Sequence, residues 1–161
     1  MIKVCQFLNG ASIKVAKYAG DDKTDLIENA EYGYCSLIKA AKSVLDKLEI
    51  EKRTLMKIIS RERIDRHLVE PVALRETVIN AFVHNDYSRE VMPVFEIFSN
   101  CMEITSYGGL PIGFSREDFF KCRSMPRNRE LMRIFRDLGL VEQLGSGMGR
   151  ILRSYDQSVF K

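Results

Sequence analysis

The chain has 161 residues, of which 45% are hydrophobic, so it is long enough for one globular domain and short for two. Charged residues make up 29% and the formal net charge is +3, which excludes a disordered polyelectrolyte and a histone-like basic tail. Residues 116–161 carry ten basic and six acidic side chains, so an anionic partner is favoured only there. A solvent-exposed helix face would give the same local excess of basic side chains.

The sequence contains no targeting signal and no apolar run of the roughly 20 residues that cross a bilayer, which predicts a cytoplasmic protein without membrane contact. Its two histidines, His67 and His84, are too far apart to indicate a metal cluster. The cysteines are widely spaced and predict buried free thiols in a reducing compartment rather than disulfides or a zinc site; they are Cys5, Cys35, Cys101 and Cys122.

Strands are predicted at the start of the chain, followed by a long helix. Residues 2–8 and 13–18 have strand-like composition and flank a turn at Asn9-Gly10. Apolar residues then recur at helical spacing, which predicts a helix from Leu26 to Leu48. Residues 53–67 are charged and mixed, and no element is predicted for them.

The rest of the chain alternates helices, strands and glycine-rich turns. Pro71 suits the first turn of a helix that ends at His84. The further predicted elements are strands over Val91–Phe98 and Met102–Thr105 around a turn at Ser99-Asn100, a helix over 116–122 with a capping box from Ser115 to Asp118, a helix over Asn128–Leu138 ending at Gly139, and a terminal helix reaching Tyr155. The predicted fold is α+β, one domain over residues 1–161, with a single sheet and helices packed on it.

The helix from 71 to 84 is apolar around most of its circumference, which is typical of a buried helix. Glu76, Asn80 and His84 form its one polar stripe, at i, i+4 spacing. A carboxylate can take a proton from water, and an amide oxygen one turn away can bind Mg²⁺. A stripe facing solvent is the alternative, and the helix alone does not decide between them.

Two glycine-rich stretches follow this helix. Gly108-Gly109-Leu110-Pro111 comes directly after a predicted strand, and Gly145, Gly147 and Gly149 precede Arg150 at the start of the terminal helix. Glycines at a helix start let backbone N–H groups approach phosphate oxygens. Each stretch taken alone is more typical of a simple turn.

The three stretches, in this order, resemble the Bergerat (GHKL-like) nucleotide-binding fold of gyrase, Hsp90, histidine kinases and mismatch-repair ATPases. There, as with Glu76 and Asn80, an asparagine follows a glutamate by four residues, and two glycine boxes come later. More narrowly, Ala73–Glu76 and Asn80–Ser88 resemble the signature of a bacterial and archaeal family labelled transcriptional regulators or recG-related ATP-dependent DNA helicases. Its remaining motifs are similar to Gly108–Pro111, Pro126–Asn128 and Leu140–Ile151.

The resemblance implies an α/β sandwich with one mixed, mostly antiparallel sheet and helices on one face. It also implies ATP and Mg²⁺ as cofactors. Glu76 would be the general base that orients the attacking water, and Asn80 would bind both Mg²⁺ and the nucleotide. The nucleotide site would further include Gly108 and Gly109, which would border the adenine pocket. Phosphate oxygens would be bound by Gly145, Gly147, Gly149 and Arg150. His84 would also belong to the site, although the resemblance does not define its role. Asp86 belongs to the signature and could instead hold the turn after the helix.

Some positions depart from that pattern. Ser106 stands where the wider ATPases have an aspartate that reads the adenine amino group, and Asn85 stands where the family usually has arginine. The function implied is an ATP-binding regulatory domain of a transcriptional regulator, with slow or absent hydrolysis. A helicase motor is not expected, since the chain has no Walker A loop. In such proteins a Schlafen- or AlbA-like DNA-binding domain precedes this region, so we expect a C-terminal fragment; homodimerisation stays open.

The alternative is a nucleotide-independent interaction module. Residues 129–136, followed by Gly139-Leu140-Val141-Glu142, have the helix–turn rhythm of winged-helix proteins. Together with the basic charge of this part of the chain, that rhythm favours contact with DNA or a partner subunit, through residues such as Arg133 and Arg136.

Overall fold

The computed structural model of the chain describes residues 12–33, 35–59, 69–141 and 147–160, with side chains as far as Glu51 in the second range. Its elements are β1 (Ile13–Tyr18), β2 (Leu26–Tyr32), α1 (Leu37–Ile59), α2 (Pro71–His84), β3 (Val94–Ile97), β4 (Met102–Thr105), α3 (Arg116–Phe120), α4 (Arg129–Asp137) and α5 (Gly147–Ser154). Short 3₁₀ turns lie at Tyr87–Arg89 and Gln157–Val159.

The four strands form one mixed sheet in the order β2-β1-β3-β4. β1 pairs with β2 in the antiparallel sense and with β3 in the parallel sense, while β3 and β4 are antiparallel. The parallel pair requires a crossover, and α1 and α2 lie between β1 and β3 in the chain. The predictions of an α+β class and of a mixed, mostly antiparallel sheet are confirmed.

One face of the sheet packs on the helices. A row of four side chains in register crosses it and belongs to the core: Ala30, Val15, Phe95 and Ile104. α1 adds Ala41 and Val44, and α2 adds Val78 and Phe82, all fully buried. Phe82 stacks on Phe95 and meets Phe135 of α4 edge to face, which joins α2 to the sheet and to α4.

The predicted helix from Leu26 to Leu48 is wrong in its first part. Leu26–Tyr32 is a strand, because it forms a full ladder with β1, and α1 begins only at Leu37. The spacing of apolar residues alone predicts a helix that starts too early. In the folded chain, the backbone groups of Leu26–Tyr32 form hydrogen bonds with the neighbouring strand β1 instead. α1 then continues to Ile59, through residues for which no element was predicted.

Several other boundaries differ from the prediction. β3 begins at Val94 instead of Val91, since Pro93 has no N–H to donate to a ladder. α3 ends at Phe120 because Cys122 has a left-handed backbone with φ of +59°. The terminal helix, α5, begins at Gly147, although residues 145–149 were predicted to form a turn before it. The capping box from Ser115 to Asp118 is present.

The thiols are less buried than the sequence predicts. Cys35 and Cys101 are exposed and Cys122 is half-buried, and these three described cysteines form no disulfide. Cys5, the predicted strand over 2–8, the turn at Asn9-Gly10, Gly145 and His67 lie outside the described residues. Within the described ranges, every helix is too short or too polar to cross a membrane.

Candidate functional site

The predicted site residues depend on α2, whose ends are fixed by local interactions. The Glu70 side chain accepts a hydrogen bond from the backbone N–H of Ala73 at 2.6 Å, and Pro71 occupies the first turn. The helix ends at His84, and Asn85 follows as its C-cap. The prediction of a helix over residues 71–84 is therefore confirmed.

The polar stripe of α2 does not face open solvent. Glu76 is buried, with a relative exposure of 8%, while Asn80 and His84 are half-buried. Burial alone lowers the pKa of His84 below its ordinary value of 6.5, and the nearby Arg127 guanidinium lowers it further. The stripe is therefore shielded from solvent in part, and most strongly at Glu76.

Glu76 contacts the terminal helix. Its Oε1 lies 3.3 Å from Nη1 of Arg150, which donates a hydrogen bond to it. Gly147, the first residue of α5, has its Cα against the same carboxylate, where an added Cβ would overlap Oε2 and lie 3.0 Å from Cδ. Because Gly147 has no side chain, the positive end of α5 approaches a negative charge on α2.

A cavity of about 390 Å³ lies beside this contact. It combines two guanidinium groups, two carboxylates and an apolar edge; its lining residues are Glu49, Pro71, Val72, Arg75, Glu76, Gly139, Leu140 and Arg150. Arg75 is held in place by hydrogen bonds to the carbonyls of Gly139 and Leu140, at 2.8 and 3.3 Å. The volume lies within the range of small-molecule sites in proteins.

The predicted glycine corner after β4 lies at the other end of α2. Asn85, which is fully buried, donates to the carbonyl of Val91 at 2.7 Å and accepts from the N–H of Tyr107 at 2.9 Å. Asp86 donates its backbone N–H to the Tyr107 carbonyl at 2.8 Å. Gly108 has φ of +100°, a conformation that favours glycine.

Arg127 and Asn128 complete this second group. Arg127 donates from Nε to the His84 carbonyl at 3.1 Å and from Nη2 to the Gly109 carbonyl. Asn128 donates from Nδ2 to the carbonyls of Val83 and Asn85, both at 2.8 Å. The end of α2, the glycine corner and the start of α4 are therefore held together by side chains that bind backbone carbonyls.

Asp86 holds the turn after α2, as the sequence allows. Its carboxylate accepts hydrogen bonds from the hydroxyl and the backbone N–H of Ser88, at 2.6 and 3.1 Å. These bonds hold the pKa of Asp86 below its ordinary value, with the hydroxyl as the larger cause.

The predicted residues thus fall into two groups along α2. Glu76, Gly147 and Arg150 meet at the cavity, whereas His84, Gly108 and Gly109 lie around Arg127. Asn80 is one helical turn from both Glu76 and His84. Gly149 is helical, with an added Cβ in ordinary contact with Cys122 Sγ at 3.7 Å.

Sequence reasoning gave no role to three residues that organise the site: Asn85, Arg127 and Asn128. Their hydrogen bonds to other elements join residues that are 18 to 45 positions apart in the sequence. The available signals were the Pro126-Arg127-Asn128 motif and the polar residue directly after a buried helix.

Comparison with known proteins gives three findings. Residues 92–160 match the family described as "Putative ATP-dependent DNA helicase recG C-terminal". This match includes both glycine stretches and Arg150, and it begins after Glu76, Asn80 and His84. No curated protein sequence matches the chain.

Among solved structures, the chain is similar to the DIP2311 protein from Corynebacterium diphtheriae, with a TM-score of 0.73 and 18% sequence identity. The similarity covers 89% of this chain and 28% of that protein, so this chain spans little more than a quarter of its length. At this identity the likeness shows a shared fold and carries no information on activity.

Proposed function

We propose that the chain is an ATP-binding regulatory domain whose phosphate-binding site is the cavity beside Glu76 and Arg150. One observation carries the proposal: a buried carboxylate on an otherwise core-forming helix lies against an arginine and a glycine at the start of α5. These are the residue types that the Bergerat resemblance predicts, brought together from positions 74 residues apart. The recG-related match over residues 92–160 supports a nucleotide as ligand.

The guanidinium groups of the cavity wall fit the phosphates of a nucleotide. Arg75 and Arg150 give the cavity wall two guanidinium groups suited to phosphate oxygens. No group of three or more His, Cys, Asp or Glu side chains that could hold a metal lies in the described ranges. Mg²⁺ suits such a site, since it binds one or two protein oxygens together with phosphates and water. Asn80 would supply an amide oxygen for it.

Slow or absent hydrolysis is part of the proposal. A general base must be positioned to reach the attacking water, and in the chain without nucleotide the carboxylate of Glu76 is paired with Arg150 and is not preorganised for that role. A bound nucleotide would then act through the conformation that it stabilises, rather than through turnover. Transcriptional regulation, DNA contact through a further domain, homodimerisation and a cytoplasmic location remain part of this proposal by resemblance.

The proposal is tested by Mg²⁺-dependent ATP binding to the purified chain. Millimolar Mg-ATP should raise the melting temperature, because a ligand of the native state stabilises it by mass action. Asn80→Ala should weaken binding by about tenfold in Mg²⁺ and little in EDTA, while Asn100→Ala, in the exposed β3–β4 turn, should change neither. Absence of any shift with Mg-ATP would overturn the proposal.

A second candidate function is supported by the surface of α4. Arg129, Arg133 and Arg136 are exposed and lie within about 60° of one another around the helix axis. Such a stripe could follow the phosphates of a nucleic acid backbone. Arg133 also pairs with Glu130 at 2.8 Å, and the exposed Asp137 lies nearby on the helix, so the surface is not uniformly basic.

This second candidate predicts salt-dependent binding of duplex DNA. Substituting Arg133 and Arg136 together by serine should abolish that binding and leave any Mg-ATP shift unchanged. No mobility shift of a duplex at low salt would count against DNA contact by this chain.

A further inference from the structure

α5 and the residues after it form a C-terminal segment, residues 147–160, that is attached to the rest of the chain at several points. The hydroxyl of Tyr155 accepts a hydrogen bond from the backbone N–H of Glu70 at 3.0 Å, at the start of α2. Phe160 packs edge to face on Phe119 and Phe120 of α3, with ring centroids 5.6 and 5.8 Å apart. Glu76 contacts this C-terminal segment through Arg150, and the same segment contacts α3 through Phe160.

Glu76 and an incoming phosphate would compete for the same cation. The side chains of Glu76 and Arg150 are only 11% and 29% exposed, so solvent screens their interaction weakly. A phosphate that approached Arg150 would bring a second negative charge beside the carboxylate, and like charges at this distance repel strongly outside bulk water. The two anions cannot both remain on Arg150 at low cost.

We propose that the Glu76–Arg150 ion pair is an autoinhibitory contact: the Glu76 carboxylate occupies the phosphate position, and nucleotide binding must displace it. This inference rests on the proposed function and adds a regulatory step to it. Part of the intrinsic binding energy is used to break the pair, so the apparent affinity of the resting chain is lower than that of a chain with the pair already broken. Displacement also releases α5 from α2 at Arg150.

The direct test removes the charge of Glu76 while keeping its size. Glu76→Gln should bind Mg-ATP about tenfold more tightly than the parent chain in isothermal titration, within the usual range of coupling between a switch and its ligand. Glu117→Gln is the matched control, because Glu117 is an exposed glutamate of α3 paired with Lys121 at 2.6 Å. Its affinity should stay within about twofold of the parent value.

A second variant keeps the test valid if Glu76→Gln does not fold. Glu76→Asp retains the charge, but its shorter side chain withdraws the carboxylate from Arg150. It should bind Mg-ATP about threefold more tightly than the parent chain, an intermediate effect. A purely structural role of Glu76 would not raise affinity in either variant.

The outcomes separate the two proposals. If the parent chain binds Mg-ATP and neither variant binds it more tightly, the autoinhibitory contact is overturned and the ATP-binding function stands. If the parent chain and both variants fail to bind Mg-ATP, both proposals fall.

Discussion

Nη1 of Arg150 lies 3.3 Å from Oε1 of Glu76 and joins the terminal helix to a buried carboxylate of α2, a helix of the core. Glu76 is nearly buried and would be costly to leave with no cation or donor. The chain itself supplies that cation, from a residue 74 positions later. The carboxylate that the Bergerat resemblance makes a general base is thus held by an intramolecular partner.

The first prediction concerns the stability that this pair contributes. Arg150→Met should lower the free energy of unfolding by about 1–3 kcal/mol, because the buried carboxylate loses a charged partner. Arg153→Met, one turn later and exposed, should change it by no more than about 0.5 kcal/mol. Urea unfolding of the three proteins measures the difference.

A double-mutant cycle supplies the control for this prediction. Adding Glu76→Gln to Arg150→Met should recover part of the loss, since the uncompensated charge is then gone. Additive effects of the two substitutions would show that the pair does not contribute to stability.

The second prediction concerns Asn85, the buried amide between α2 and the glycine corner. Asn85→Ala should destabilise the chain by about 2–4 kcal/mol, since the Val91 carbonyl and the Tyr107 N–H both lose a partner inside the protein. Asn100→Ala, at an exposed position, should cost no more than about 0.5 kcal/mol. Equal unfolding midpoints for the two variants would contradict this role of Asn85.

The third prediction compares two glycines with positive φ. Gly108→Ala should cost about 2–4 kcal/mol, because its Cβ would lie 2.7 Å from Asp86 Cβ and 3.2 Å from Arg127 Nη2, in addition to the strained backbone. Gly113 has a similar φ of +81°, but the space around an added Cβ is open. Gly113→Ala should therefore cost only the strain of the left-handed backbone, about 1–2 kcal/mol.

The same thermal and urea measurements on both glycine variants test this comparison. If Gly108→Ala were as stable as Gly113→Ala, close packing of Gly108 against Asp86 and Arg127 would be contradicted.

The fourth prediction is a pH dependence from His84. Its pKa in the folded chain lies below the unfolded value of 6.5, because burial and Arg127 disfavour the imidazolium. The unfolded state therefore binds more protons in this range, and the stability from His84, complete above pH 6.5, decreases as the pH falls through 6.5 toward the folded pKa. His84→Gln should flatten the stability curve between pH 7 and 5.

Two carboxylates with lowered pKa values, those of Asp86 and Asp118, do not interfere with that measurement. The pKa values of Asp86 and Asp118 are lowered from 3.8 by serine hydrogen bonds, so their effects on stability appear only under more acidic conditions. A His84→Gln curve with the parent slope between pH 7 and 5 would contradict the prediction.

The elements that the sequence predicts correctly are those whose signals are local. α2 is bounded by Pro71 and a polar turn, and α3 by the capping box of Ser115. The strand over Leu26–Tyr32 was missed because its stability depends on pairing with β1, and its apolar residues do not alternate cleanly. The ladder is a tertiary interaction, and no single segment carries it.

The same distinction applies to the candidate site. The stripe of Glu76, Asn80 and His84 follows from helical geometry alone. That Glu76 contacts α5, while His84 lies near Arg127, depends on how distant elements pack. A family signature can suggest that Gly147 and Arg150 belong to the site, but the occupation of Arg150 by Glu76 is visible only in the folded chain.

The most direct test is the distance between the Glu76 carboxylate and the Arg150 guanidinium in a crystal structure with Mg²⁺ and a non-hydrolysable ATP analogue. We predict that the phosphates take the place of Glu76 on Arg150 and that the 3.3 Å contact is broken. An analogue bound with the Glu76–Arg150 pair intact, or bound away from the cavity, would contradict the proposed site.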